Sequence, residues 1–434
     1  MRILFAIFEM MDWGGIIADL EFKARGLTEA GHTVDIVYLH HKDMDPKMRG
    51  LTTREGAYDS FFKGAQVHTI AGYFGIPIIG YQGRDRLKKW KKRTAKYDLV
   101  IFENTPNPAN TADAEGNWIK VFDTACPNIL SIHDANFREL YPFMIKVADK
   151  IKGISCTNQA GYANLSWFPA PRAFVGAPHP VLNWDKQKPW DSRKPQAVSA
   201  HVWKAWKRHD LQVKAARHLK NSNLILCGSG IEYHYMTSKN KRKEKYGDIW
   251  ERGLAAGHME YLGMITSPDL QKLYRQSRVM VDTAWSKKFA NLGCHFNRSI
   301  IEGYNNGCVP IVVTENMYED GFQLRMFKAG KTHFEISADH RPKELAQLID
   351  HVANLHADDA GEIITRGRKI LTRFFDYRKT SLQYLDLAEG KPAGVYPKLE
   401  TGKLNKKIIK ASERYIDVKV AKAIAKNQAR QSKG

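Results

Sequence analysis

Cysteine is scarce in this chain. The 434 residues hold five, Cys126, Cys156, Cys227, Cys294 and Cys308. None has the spacing of a zinc or redox pair, so a disulfide framework is not expected and reduced thiols in a cytosolic compartment are. No apolar run approaches the roughly 18–20 residues that a membrane span needs. The opening Met1–Phe8 run is short and closes at Glu9, which predicts a first strand rather than a secretion signal. Internal repeats are absent. Acidic residues are too few to balance the basic ones: 46 Asp and Glu stand against 67 Lys and Arg, a net charge of +21. Such an excess attracts polyanions over long range, which leaves nucleic acid and an anionic membrane surface as the partner classes.

The positive charge is clustered. Arg84, Arg86, Lys88, Lys89, Lys91, Lys92 and Arg93 form one block around Trp90. Lys239, Lys241, Arg242, Lys243 and Lys245 form a second, and the segment from Lys403 to Lys433 a third. One such block is usually a solvated helix face. Three in one chain predict a polyanion partner, without naming it, because charge carries affinity but no sequence information.

Strand and helix patterns alternate, which predicts parallel sheets covered on both faces. Strands are expected over Arg2–Phe8, Thr33–Leu39, Asp98–Phe102, Asn128–His133 and Ile154–Thr157, with a helix over Ile16–Ala30 stopped by Gly31. The Pro- and aromatic-rich stretch from Phe168 to Trp190 reads as a linker. A second series follows, with strands at Leu224–Cys227, Val279–Asp282 and Val309–Val313 and closing helices over Lys343–Leu355 and Ala360–Phe375. The expected architecture is α/β, with two doubly wound Rossmann-like domains facing a central cleft. Their bounds are 1–185 and 186–375. A third region, 376–434, is a C-terminal helix returning to the first domain plus a basic tail.

Four sites in this scheme can carry chemistry. Gly14 and Gly15 follow the first strand, where glycine lets a phosphate approach the backbone and the next helix offers its N–H groups. They do not form a G-x-G-x-x-G fingerprint, and a plain loop is the ordinary alternative. Lys204, Lys207 and Arg208 open a helix after a short strand, where cations suit a diphosphate whose charge develops in a transition state. Gly228 closes a further strand. His133 and Asp134 end an apolar strand. There a histidine can exchange a proton near neutral pH and a carboxylate can orient a hydroxyl, although a core histidine beside a capping aspartate has the same signature. Glu302 lies in Arg298–Val313, a helix–glycine–strand passage that predicts a carboxylate near a helix N-terminus at the mouth of a sheet, where nucleotides bind. Asp43 and Asp45 sit in a charged loop, and no metal site is read from them.

With these elements in order, the chain resembles the retaining two-Rossmann-domain (GT-B) glycosyltransferases, and among them the DNA α-glucosyltransferases of T-even phages. The likeness runs in patches from Met1 to Phe375. It rests on Met1-Arg-Ile-Leu4, Gly14-Gly15, the stretch Glu29–Tyr38, His133-Asp134, Trp206-Lys207 and Glu302–Pro310. It implies that Glu302 holds a ribose and that Lys204 and Lys207 hold a diphosphate, with help from Gly15 N–H and with Gly228 nearby. The donor would be a UDP-sugar, UDP-glucose favoured, bound without need of a divalent metal. The acceptor would be a hydroxymethylated pyrimidine flipped out of duplex DNA. His133 and Asp134 would position the reacting groups. Arg84, Arg86, Lys88, Lys89, Lys91, Lys92, Arg93, Lys241, Arg242 and Lys243 would hold the DNA backbone, with Trp90 or Trp13 filling the gap in the stack. The expected setting is a monomer in the (host) cytoplasm. The sequence departs from the pattern at Cys294, where many relatives carry an acid eight positions before the glutamate, and at Lys204, the nearest counterpart of a phosphate-binding arginine. Two other readings stand beside this one: a membrane-surface enzyme acting on lipid-linked or surface polysaccharide, and a non-catalytic DNA-binding protein on the same fold.

Overall fold

The computed structural model describes residues 1–7, 15–38, 67–69, 90–103, 120–133, 147, 149–156, 172–174, 188–201, 207–228, 242–285, 298–314 and 327–391. The chain divides into two compact units, Met1–Pro180 with Phe374–Gly434, and Val181–Arg373.

The first unit is built on seven parallel strands: β1 (Arg2–Ile7), β2 (Thr33–Tyr38), β3 (Val67–Thr69), β4 (Leu99–Glu103), β5 (Asn128–Ile132), β6 (Gly153–Cys156) and β7 (Arg172–Phe174). They are ordered β3-β2-β1-β4-β5-β6-β7. β1 and β4 are continuous apolar runs because both faces of a parallel sheet are covered; Ile3, Leu4, Phe5, Ala6, Leu99, Val100, Ile101 and Phe102 have no exposed surface. Helix α1 (Gly15–Glu29) presents Leu20, Ala24 and Leu27 to that sheet at helical spacing. It ends in a Schellman-type cap, with Gly31 at φ +86° and His32 N–H bonded to Leu27 C=O at 3.0 Å. The sequence places no strand at β7, which lies inside the stretch read as a linker. A three-residue edge strand among prolines carries no periodicity, so tertiary pairing with β6 decides it.

The second unit repeats the plan. Its strands are β8 (Lys194–Ala200), β9 (Asn223–Cys227), β10 (Met259–Gly263), β11 (Ser277–Asp282), β12 (Val309–Val313) and β13 (Phe334–Ile336), ordered β10-β9-β8-β11-β12-β13 and all parallel. Helices α2 (His209–Ala216), α3 (Arg242–Ala255), α4 (Ser267–Gln276), α5 (Arg298–Asn305), α6 (Pro342–Ala353) and α7 (Ala357–Phe374) accompany them. Pro268 lies at the start of α4, and Thr266 caps it by accepting from Asp269 N–H. The chain then returns to the first unit as α8 (Tyr377–Ala388), which lies on α1. The two helices approach closely at Gly26, where a β-carbon would sit 2.6 Å from the Tyr377 carbonyl oxygen. Gly153 makes room for Leu387 in the same way, a β-carbon there meeting Leu387 Cγ at 2.6 Å. Tyr384 and Leu387 belong to the core of this unit.

In both sheets the strand order reverses once, between β1 and β4 and between β8 and β11. In open α/β sheets the crevice beyond the carboxyl ends of the strands at such a switch point is where ligands bind.

Candidate functional site

In the first unit the switch point holds a buried charged cluster. Asp19 and Lys23 lie one turn apart on α1. Glu103 is the last residue of β4, Ser131 lies in β5, His133 follows it, and Tyr384 comes from α8. Lys23 Nζ donates to both oxygens of Glu103 at 2.9 Å and to Ser131 Oγ at 3.0 Å. It also stands 5.1 Å from the centroid of the Tyr384 ring. His133 Nε2 is 2.7 Å from Glu103 Oε2, and its Nδ1 is 3.4 Å from Asp19 Oδ2. All six side chains are buried.

Burial alone raises the Glu103 pKa, but Lys23 and His133 outweigh it and hold the carboxyl below its ordinary range. For Lys23, burial lowers the pKa and Glu103, Tyr384 and Asp19 outweigh it, so the net shift is upward. For His133, burial and the Lys23 ammonium lower the pKa, while the bonds to Asp19 and Glu103 raise it by more. The linkage signs follow. The His133 contribution to stability is complete below its ordinary pKa of about 6.5 and is lost as pH rises through the raised value. The Glu103 contribution is complete above about 4.3 and is lost as pH falls through the lowered one.

In the second unit the switch point gathers β8, β11 and the residues after them. His201 follows β8, its N–H bonded to Cys227 C=O at 3.0 Å. His201 Nε2 stands 3.5 Å from Oδ2 of Asp282, the last residue of β11. Asp282 Oδ1 accepts from Ala284 N–H at 2.9 Å, and Ser299 Oγ lies 3.4 Å from Asp282 Oδ2. Thr283 Oγ1 donates to the Lys207 carbonyl at 3.1 Å and accepts from Gln212 Nε2 at 2.7 Å. Burial pulls the His201 pKa down to about 4 and that of His209 down to about 3. Both imidazoles are therefore neutral at pH 7. Arg208 is the one described non-glycine residue with positive φ, at +55°. Such strain concentrates at ligand clamps, and here it turns the chain between Lys207 and α2. The Arg208 guanidinium lies 5.7 Å from the Trp285 ring centroid.

Lys207 and Glu302 are thus tied to the same end of β11: Lys207 through Thr283, Glu302 through α5, whose second residue Ser299 meets Asp282. Glu302 sits in the second turn of α5 rather than at its first residue, and Arg298 Nε donates to its Oε1 at 2.9 Å. A carboxylate offers about four acceptor positions. The far end of α5 is closed by buried Arg193, which donates at 2.8 Å to the carbonyls of Asn306 and Gly307 and, through Nε, at 3.0 Å to that of Lys188. Arg193→Ala is expected to destabilise the second unit by about 3 kcal/mol, because several buried carbonyls lose their donor together. Lysine should not rescue it, since one ammonium cannot replace a planar fork. Urea unfolding of the full chain checks both.

Several sequence-derived candidates lie elsewhere. Gly228 ends β9 at φ +140°, with its N–H bonded to Gly263 C=O at 2.8 Å and its C=O accepting from Tyr261 OH at 2.9 Å. Its backbone is thus occupied, and it offers a ligand only the absence of a side chain. Gly15 opens α1. Lys91 and Lys92 are exposed and Arg93 half-buried. They precede β4, at the opposite end of the sheet from His133, and five residues of β4 at about 3.3 Å each put roughly 16 Å between those ends. Lys91, Lys92 and Lys120 line a shallow depression, and Lys150 and Lys152 line the adjoining one. Trp90, expected to fill a gap in a base stack, has no exposed surface, and its Nε1 donates to the Val121 carbonyl at 2.8 Å. It is a core residue and cannot enter a duplex. Arg242 and Lys243 begin α3. Gly14, Trp13, Arg84, Arg86, Lys88, Lys89, Asp134, Lys204 and Lys241 lie outside the described residues, as do Cys294 and the basic tail beyond Lys391.

Sequence reasoning missed Asp19, Lys23, Glu103, Tyr384, His209 and Asp282. A faint signal existed for two of them: Asp19 interrupts, and Glu103 closes, an otherwise apolar run. Among the described residues no group of three or more His, Cys, Asp or Glu side chains could hold a metal ion, and no helix is long and apolar enough to cross a membrane.

No family model and no curated protein sequence matches the chain. Solved structures do. HepE of Anabaena is 13% identical over 90% of this chain and 100% of its own, with a TM-score of 0.60. It has been solved with UDP, with UDP and glucose, and with UDP-glucose. Sucrose-phosphate synthase of Thermosynechococcus elongatus is 15% identical over 90% of this chain and 98% of its own, at a TM-score of 0.61. A glycosyltransferase of Rickettsia africae is 15% identical over 89% and 97%, at 0.60. At these identities the likeness establishes the fold, which is that of the GT-B glycosyltransferases.

Proposed function

We propose that this protein is a glycosyltransferase that takes its sugar from a UDP-sugar bound at the switch point of the second sheet. The observation that carries this reading is that Lys207 and Arg208 pack at the end of β11, where the first turn of α5, the helix that bears Glu302, is also tied. A diphosphate needs cations and a ribose needs a carboxylate acceptor, and one strand end supplies both. The solved structures with UDP and UDP-glucose in the same fold support the donor class. In this reading Lys204 and Lys207 hold the diphosphate, Glu302 accepts from the ribose hydroxyls, and Gly14 and Gly15 offer backbone N–H groups. UDP-glucose is the first donor to test.

The acceptor side is assigned to the first unit, with His133 and Asp134 at its centre. The net charge of +21 favours a polyanionic acceptor. The resemblance at His133-Asp134 and Trp206-Lys207 makes that acceptor a hydroxymethylated pyrimidine in duplex DNA, glycosylated with retention after base flipping. The exposed lysines before β4 would then serve the duplex away from the flipped base, on its backbone.

One assay tests the whole reading. The protein is incubated with a panel of UDP-sugars and with duplexes containing cytosine, hydroxymethylcytosine or hydroxymethyluracil, and the digested nucleosides are weighed by mass spectrometry. The expected result is a hexose mass added to hydroxymethylcytosine. Turnover of the donor onto lipid-linked acceptors alone would move the acceptor to a membrane surface. DNA retention with no donor turnover would reject the enzyme.

A further inference from the structure

The hydrogen-bond geometry of the cluster at the first switch point constrains the protons of His133. Carboxylates only accept hydrogen bonds, so each ring nitrogen of His133 that faces one must carry a proton. Nε2 faces Glu103 at 2.7 Å and Nδ1 faces Asp19 at 3.4 Å. Lys23 spends its three donors on the two Glu103 oxygens and Ser131 Oγ. Its 3.4 Å approach to His133 Nε2 therefore joins two donors, and Glu103 lies between them as the shared acceptor. These four described side chains then carry two positive charges, on Lys23 and His133, and two negative ones, on Glu103 and Asp19. A neutral His133 would set a bare ring nitrogen against one of the two carboxylates, lone pair against lone pair.

We propose that Glu103, Asp19 and Lys23 are positioning residues that hold His133 as a doubly protonated imidazolium at the carboxyl edge of the first sheet, so that His133 acts as a fixed cation and not as a proton-accepting base. Its part in sugar transfer rests on the function proposed above; its protonation state does not. Among the described residues the groups around it are Asp19 and Lys23 from α1, Glu103 from β4, Ser131 from β5 and Tyr384 from α8. Lys23 is the buried counter-charge that lets Glu103 stay ionised while it grips the imidazole. Tyr384 OH, 3.3 Å from Ser131 Oγ, closes the network from below.

The test is nitrogen-15 NMR of the full chain labelled at histidine, which carries 16 such residues. The His133 signals are identified as those missing from His133→Gln. The expected result is two protonated ring nitrogens at pH 7 and a titration above the ordinary 6.5. In Glu103→Gln, which keeps the shape and removes the charge, that titration should fall by about one unit or more. Asp19→Asn gives the same direction with a smaller shift and serves if Glu103→Gln does not fold. A bare ring nitrogen at pH 7, or a titration unmoved in the folded variant, overturns the proposal. The pH–rate profile of sugar transfer adds a second readout. Its decline at high pH should move down in Glu103→Gln with donor KM unchanged. If no transfer is found while the NMR result holds, the assigned activity fails and the charge assignment stands.

Discussion

Truncation of the chain after Phe375 is expected to unfold the first unit. From the sequence, the segment beyond this point is expected to hold a C-terminal helix that returns to the first domain. In the structure it supplies α8, which buries Tyr377, Tyr384 and Leu387 and lies on α1 at the level of Gly26 and on β6 at Gly153. Three further bonds join the two helices: Tyr377 OH to Glu29 Oε1 at 2.6 Å, Arg378 Nε to Glu29 Oε2 at 2.9 Å, and, in the interior, Ser381 Oγ to the Phe22 carbonyl at 3.4 Å. Burial of one large apolar side chain contributes about 1.5–3 kcal/mol, and a domain is stable by only about 5–15 kcal/mol in total. Loss of the whole helix therefore removes most of that margin, and it also strips the floor from Lys23. The truncated chain should show one cooperative urea transition in place of two, the surviving one belonging to the second unit. Leu387→Ala should weaken the first transition alone, by about 2–5 kcal/mol. An unchanged first transition in the truncated chain would mean that α8 merely decorates a unit stable without it.

Lys207→Ala and Glu302→Ala should each weaken UDP binding by roughly 10- to 100-fold, the size of one hydrogen bond to a charged group. Their specificities should differ. Lys207 is assigned to the diphosphate, so its loss should weaken UDP and inorganic pyrophosphate alike. Glu302 is assigned to the ribose, so its loss should weaken UDP and leave pyrophosphate unaffected. Calorimetric titration of both ligands into both variants separates the roles. Equal losses for the two ligands in Glu302→Ala would show that the carboxylate acts through its neighbours, through Arg298 for example, and not on the ribose.

The fold was largely legible because parallel strands buried on both faces are written as apolar runs. Leu99–Glu103, Asn128–Ile132 and Val309–Val313 stand out against polar surroundings, and Gly31 marks the end of α1 by its left-handed backbone. The short edge strands β3, β7 and β13 were not legible, because three residues carry no period and their pairing is set by the neighbouring strand. Of the residues at the two switch points, His133 and Lys207 stand out in the sequence because each sits where a strand or helix meets a turn, and Glu302 because its helix runs through a glycine into an apolar strand. Their partners do not, because contact is made across the fold: Lys23 and Glu103 are 80 residues apart, Ser131 and Tyr384 253. The pattern near Trp90 misled for the opposite reason. An aromatic inside a basic block looks like a nucleic-acid contact, but a helix just ahead of a buried strand turns that aromatic inward and its lysines outward.

The central claim is that a uridine nucleotide binds at the carboxyl edge of the second sheet, around the end of β11. Hydrogen–deuterium exchange of the full chain, with and without saturating UDP, tests it most directly. Protection should appear in peptides covering Ala200–Gln212, Asp282–Trp285 and Arg298–Asn306. Protection confined to the strands and helices of Met1–Pro180, or none at all at saturating UDP, would contradict it.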